Sequence, residues 1–193
     1  LPKLLYLLRT APCFSSNSLS AFDDCLCRIL SNVTNSQISV NDCAWTQASL
    51  PVSLGGIGVR SAVVLAPSAF LASSHATADM VNLLLPEGPA LSSLLFVDDA
   101  LALWSQDHSF SPPEGDDACM QKAWDCVRTR LIADSLLQSA RDESDRVRLL
   151  AVSSKDSGAW LEALPVSSMG LRLDDTALRI GVGLRLGIPI CSP

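Results

Sequence analysis

The sequence predicts an all-α fold, an irregular helical bundle of about seven to nine helices with a Gly/Pro-rich loop near 50–60. Two observations carry this expectation. Ala, Leu and Arg are abundant, which favours helix, while strand-favouring aromatics are few: five Phe, four Trp and one Tyr. Apolar residues also recur at spacings of three and four, so almost every segment reads as helix. At 193 residues, with 48% hydrophobic and 18% charged residues, the chain is long enough to bury a core and is not a disordered polymer.

The elements follow in order. Leu4, Leu5, Leu7 and Leu8, then Arg9, predict a short helix that Pro12 terminates. Asn17 or Ser18 caps a second helix whose stripe is Leu19, Phe22, Leu26, Ile29 and Val33. Asn41 opens a third, short helix carrying Trp45, which runs into a loop set by Pro51, Gly55, Gly56 and Gly58. A helical pattern over 62–85 is expected to be jointed near Pro67 and Ser73-Ser74 and closed by Pro86 and Gly88. Residues 89–105 form a further helix with Leu91, Leu94, Val97, Leu101 and Trp104 on one face. After a linker, the pattern over 117–140 carries Met120, Trp124, Val127 and Leu131 on its stripe. Asp142 begins another helix, and Ser153 to Pro165 holds a short one centred on Trp160. Asp174 is the expected N-cap of a final helix that ends at Gly187, before Pro189.

Residues 106–116, "QDHSFSPPEGD", are a linker by composition. They divide an N-terminal helical region, 1–105, from a C-terminal one, 117–193. The chain opens on Leu1 and stops at Ile-Cys-Ser-Pro, and it is read as an excerpt of a longer polypeptide.

Charge narrows the partners. Residues 1–72 balance at +1, residues 73–120 hold eight acids and no Lys or Arg, and residues 121–193 balance at +1. A nucleic-acid surface needs concentrated positive charge to displace counterions, so the acidic middle block is excluded from a phosphate backbone and the flanks bind it only weakly. The seven cysteines contain no C-x-x-C, and His75 and His108 are the two histidines, so a closed zinc site is not expected. Cys25 and Cys27 would point about 200° apart on a helix. Buried, reduced cysteines and an intracellular location, nuclear or cytoplasmic, are the expectation. The longest uncharged run, Ser61 to Ala78, is interrupted by Pro67 and is not a membrane span.

Several segments resemble the region that follows the palm in reverse transcriptases of non-LTR-type retroelements. They are "PKLLYLLRTAP" (2–12), "FDDCLCRIL" (22–30), "WTQASLPVSLGGIGVRSAVVLAPSAFLAS" (45–73), "QKAWD" (121–125), "SGAWLEALP" (157–165) and "GLRLDDTALRIGVGLRLGIPIC" (170–191). The order matches across nearly the whole chain, and the Leu-Pro…Gly-Gly-x-Gly-x-Arg-Ser stretch is the most specific part. Residues 74–116 match least. The resemblance implies a helical thumb and connector that positions template–primer RNA or DNA, with the polymerase active site upstream and no catalytic residue or cofactor in this chain. Lys3, Arg9 and Arg60 are the candidates to meet phosphates, with ordinary exposed or capping bases as the alternative. The competing reading is a helical protein-interaction scaffold with no nucleic-acid role. The sequence assigns no oligomeric state.

"LLFVDDALALW", Leu94 to Trp104, contains the aromatic-x-Asp-Asp signature that reverse transcriptases carry on a β-hairpin. Here "ALALW" follows the pair with strong helix formers and no β-branched residue. Two-metal chemistry also needs a further carboxylate. In "NSLSAFD", which is similar to the polymerase pattern Asp-x-x-x-x-Phe-Asp, Asn17 stands where the metal-binding Asp belongs. Asp98 and Asp99 are therefore expected on the flank and solvent side of a helix. Gly55-Gly56-Ile57-Gly58 lacks the preceding strand and the Lys-Ser/Thr of a phosphate loop, so it reads as a tight connection. The four tryptophans read as core anchors, and no Ser-His-Asp or Cys-His constellation is evident.

Overall fold

A computed structural model describes residues 2–84, 95–105 and 111–190. Among them the secondary structure is helical throughout, with nine α-helices, three short 3-10 turns and no strand. The helices are α1 (Pro2–Thr10), α2 (Asn17–Thr34), α3 (Cys43–Ala48), α4 (Ala62–Leu84), α5 (Leu95–Trp104), α6 (Gln121–Gln138), α7 (Glu143–Val152), α8 (Ala159–Glu162) and α9 (Asp175–Leu186). The all-α expectation holds. None of these helices is long and apolar enough to cross a membrane.

The chain forms two compact units, each assembled from separated stretches. One comprises Leu1–Ser20 and Ser61–Arg128, the other Ala21–Arg60 and Thr129–Pro193. This partition interleaves the sequence, whereas the linker at 106–116 divides it by order alone.

In the first unit α4 is the central element, packing against α1, α5 and the 3-10 turn Gly115–Cys119. Its small residues Ala66, Ala69 and Ala72 are buried and let neighbours approach closely. Phe70 meets Phe14 with ring centroids 5.4 Å apart. Trp104 of α5 packs edge-on against Trp124 of α6 at 4.9 Å. Both indoles bury their polar edge with a partner: Trp124 Nε1 donates to the Ala118 carbonyl and Trp104 Nε1 to the Trp124 carbonyl.

The second unit is built on Cys27, Leu30, Trp45, Ala48, Val182 and Leu186. Leu26, Ile57 and Trp160 pack against its outside, so Trp160 is half-buried while the other three tryptophans are buried. Asp174 is the N-cap expected from sequence, accepting from the Ala177 amide, and Asp142, where a helix is expected to begin, caps α7 by accepting from the Asp145 amide. Gly187 closes α9 in the left-handed region, φ 65°.

The structure corrects several expectations. Helix α2 is capped by Ser16, whose Oγ accepts from the Ser18 amide, and not by Asn17 or Ser18. Its inward stripe is Leu19, Asp23, Cys27, Leu30 and Thr34, leaving Ile29 and Val33 exposed. Apolarity alone selects the wrong face because Cys27 and Thr34 satisfy their polar atoms locally, on the Ile38 and Leu30 carbonyls. Helix α4 runs unbroken through Pro67 and Ser73-Ser74. Pro67 stands only six positions into the helix, so it removes one backbone bond while burying its ring. Met120 lies outside α6 and is half-exposed rather than on a buried stripe. Cys27 is buried, but Cys25, Cys43 and Cys119 are exposed, so the thiols are not uniformly interior. Pro86, Gly88, Leu91, Leu94, His108 and Cys191 lie outside the described residues.

Ser68 of α4 is fully buried, and its Oγ has no hydrogen-bond partner among the described residues. An unmet buried hydroxyl carries a desolvation cost with no compensating bond. Ser68→Ala is expected to raise unfolding stability by about 1 kcal/mol, read from the urea midpoint. A loss of stability would show that the hydroxyl does hold a partner.

Candidate functional site

The aspartate pair comes first, because its placement decides between chemistry and surface. Asp98 and Asp99 lie on α5, one after the other, and both are exposed. Val97, Ala100 and Trp104 of that helix are buried, so the carboxylates lie off its inward side as the spacing predicts. Phe96, the aromatic of the signature, is exposed too. Among the described residues no group of three or more His, Cys, Asp or Glu is placed to hold a metal ion.

Of the three candidate phosphate contacts, Lys3 and Arg9 lie in the first unit and Arg60 in the second. Lys3 and Arg9 are exposed on α1, six residues apart, which places them about 120° apart around the helix. Arg9 is engaged: its Nε and Nη2 donate to Gln121 Oε1 at 3.1 and 2.8 Å. Arg60 is partly buried and belongs to the second unit.

A dense polar constellation that the sequence reading does not predict lies wholly within the second unit. Gln47 of α3 is buried, and its amide is used from both ends. Nε2 donates to the carbonyls of Gly55 and Arg185, each at 2.9 Å, and Oε1 accepts from Arg148 Nη1 at 2.9 Å. Arg185 of α9 is 4% exposed. Its guanidinium donates to the carbonyls of Gly56 (2.9 Å), Val52 (2.7 Å) and Ser157 (3.2 Å). Burial pulls the pKa of this guanidinium below the ordinary arginine range, and carbonyl dipoles, not a carboxylate, supply its compensation. Gly56 is obligatory here: a Cβ on it would stand 2.0 Å from the Leu50 carbonyl oxygen.

Arg148 of α7 completes the set. Its Nε and Nη2 fork onto Asp145 Oδ1 at 3.0 and 2.8 Å, and its Nη1 also donates to the Arg185 carbonyl. Gly187 leaves room for it, since a Cβ there would meet Arg148 Nε at 2.5 Å. Arg141 adds a bond from Nη2 to the Gly187 carbonyl. Two guanidiniums thus meet carbonyls at the C-terminal end of α9, where positive charge complements the helix dipole.

A cleft of about 270 Å³ opens beside this constellation, bounded in part by Ile38, Asp42, Gln47, Arg148, Leu186 and Ile188. Asp42 and Asp145 offset Arg141 and Arg148 on its walls. With its cations held by carbonyls and a carboxylate, the arrangement works as a brace joining α3, the 51–58 loop, α7 and α9. Nearby Cys27 has its pKa raised by burial and by Asp42 and Asp24, which favours the inert thiol over the nucleophilic thiolate.

The sequence held a weak signal for the brace. Arg185 sits between Leu184 and Leu186 in an apolar run, and Gln47 sits between Trp45 and Ala48 in a short helix. Both are polar residues at inward-facing positions, which marks a partner requirement but not the partner's identity. Comparison with protein-family models, curated proteins and solved structures finds no match to this chain.

Burial pushes the Asp145 carboxyl up, but hydrogen bonds from Arg148 and from the Arg141 backbone, with the Arg148 charge, outweigh it and leave the pKa below the ordinary 3.8. A depressed folded-state pKa contributes stability that is complete above the unfolded value of 3.8 and is lost as pH falls through the lower folded value. Asp145→Asn is therefore expected to destabilise the chain at neutral pH and to flatten the loss of stability below about pH 4, read from urea midpoints across pH. An unchanged acid profile would contradict the pairing.

Proposed function

We propose that this chain is the non-catalytic thumb and connector region of a retroelement reverse transcriptase, and that it helps position template–primer nucleic acid within a longer enzyme. The observation that supports this reading is the brace. Segments 45–73, 157–165 and 170–191 carry parts of the resemblance, the first of them the most specific, and Gln47 and Arg185 tie them together through the Gly55, Gly56 and Ser157 carbonyls. If the resemblance holds, residues kept for packing reasons would be expected to meet in one body, and Gln47, Gly55, Gly56, Ser157 and Arg185 lie together in the second unit.

The electrostatics bear on how such a region works. The first unit holds four Lys and Arg against nine acids, and the second holds ten against eleven. Neither displaces many counterions, so the isolated chain binds template–primer more weakly than about 1 µM at roughly physiological salt. Positioning then depends on a few cations acting beside a polymerase centre, with Lys3, Arg9 and Arg60 in that role.

A second reading, a helical protein-interaction scaffold, draws on the exposed Leu164 and Met169. One experiment separates the two. In the full-length enzyme, Lys3, Arg9 and Arg60 are replaced together by Ala, and template–primer retention is measured against salt. The thumb reading expects weaker retention and a log–log salt slope shallower by about 0.9 for each phosphate no longer neutralised. Unchanged retention and slope would favour the scaffold.

A further inference from the structure

The cleft of about 270 Å³ in the second unit is lined by two kinds of surface. Leu136, Leu149, Leu186 and Ile188 give it apolar lining, the first three of them buried. Asp42, Arg141, Asp145 and Arg148 give it charge of both signs. Two of these four occupy each other. Arg148 places Nε and Nη2 on Asp145 Oδ1 and Nη1 on Gln47 and the Arg185 carbonyl, and Asp145 Oδ2 accepts from the Arg141 amide. The other two keep open valences. Asp42 is exposed, and while its Oδ2 accepts from the Ser39 amide at 2.6 Å, its Oδ1 has no partner among the described residues. Arg141 is exposed too. Its Nη2 donates to the Gly187 carbonyl at 3.2 Å and its Nε lies 3.6 Å from Asp145, but Nη1 has no partner among the described residues.

One open anion and one open cation thus share a cleft with apolar lining, and their signs select the ligand. A molecule of single charge would meet one of them as a partner and the other as a like charge, and a neutral apolar molecule would satisfy neither. A zwitterion satisfies both. The volume, just under the roughly 300–1,000 Å³ of sites for drug-sized molecules, selects a small one. We infer that this cleft binds an apolar α-amino acid of the leucine class, its ammonium on Asp42, its carboxylate on Arg141 and its side chain against Leu136, Leu149 and Leu186. A guanidinium suits the carboxylate, since its planar donors match the two oxygens. The site goes beyond the thumb reading and is independent of it, since it uses neither the resemblance nor Lys3, Arg9 and Arg60.

The test follows the amides of Ser139 and Gly187, which line the cleft, by nitrogen-15 NMR of the whole chain at neutral pH. Leucine is expected to give saturable shifts with a Kd on the order of 1 mM. Glycine, which lacks the apolar side chain, is expected to bind at least about tenfold more weakly. N-acetylleucine lacks the ammonium and leucinamide the carboxylate, and each is expected to bind about fivefold more weakly or worse. The variants are expected to cross with the ligands. Asp42→Asn weakens leucine about fivefold and leaves N-acetylleucine unchanged, while Arg141→Gln weakens leucine about fivefold and leaves leucinamide unchanged. Both alter exposed side chains, and their far-UV spectra and urea midpoints check that they fold. Should one not fold, the ligand series on the unaltered chain decides. No saturable shift, glycine equal to leucine, or N-acetylleucine or leucinamide equal to leucine would each overturn the proposal. So would variants that weaken every ligand alike, or none.

Discussion

The guanidinium of Arg185, sealed inside the second unit, sets the terms for everything around it. A buried cation without partners costs several kcal/mol, so the fold must bring acceptors to it. It does so with backbone carbonyls from two irregular stretches, Val52 and Gly56 on one side and Ser157 on the other. The Gly-rich loop is also held by its backbone, with the Gly55, Gly56, Ile57 and Gly58 amides donating to the Val52, Pro51, Ala48 and Leu50 carbonyls. Arg185 adds side-chain bonds to that framework, and Gln47 and Arg148 hold the Arg185 carbonyl in turn. Loop, α7 and α9 form one cross-braced object because a single charge had to be accommodated.

The same chemistry recurs in the first unit. Arg128 donates to the carbonyls of Leu103 and Trp104 at the end of α5, next to the Trp104–Trp124 contact. Arg141 and Arg148 do likewise at the end of α9. Arginines at these helix ends donate to last-turn carbonyls and oppose the negative end of the dipole. Arg128 and Arg148, part-buried and engaged in this way, are less available to phosphates than exposed side chains. A chain with fourteen Lys and Arg thus presents fewer external cations than its composition implies, and its electrostatic face toward nucleic acid is correspondingly weak.

What can be read from the sequence is local. The helix class, the Asp142 and Asp174 caps, the left-handed Gly187 and the helical setting of Asp98 and Asp99 all follow from short-range rules of spacing and capping. What escapes depends on which polar groups find partners, near or far along the chain. The α2 stripe is rotated because Cys27 and Thr34 are polar by composition yet satisfied at their positions. Gln47 and Arg185 are 138 positions apart, and no periodicity links them. The break expected at Pro67 does not occur, since the rule against proline in helices counts the missing bond but not the burial of the ring.

A dry, fixed Arg185 guanidinium is the premise on which the second unit rests. Nitrogen-15 NMR of the arginine side chains observes it directly through the Nε–H proton of Arg185, which donates to Gly56. The expected result is a resolved signal whose exchange with water is slowed by orders of magnitude relative to that of an exposed arginine. An Arg185 Nε–H that exchanges as fast as an exposed one would contradict it, and the loop, α7 and α9 would then need another explanation for their joint arrangement.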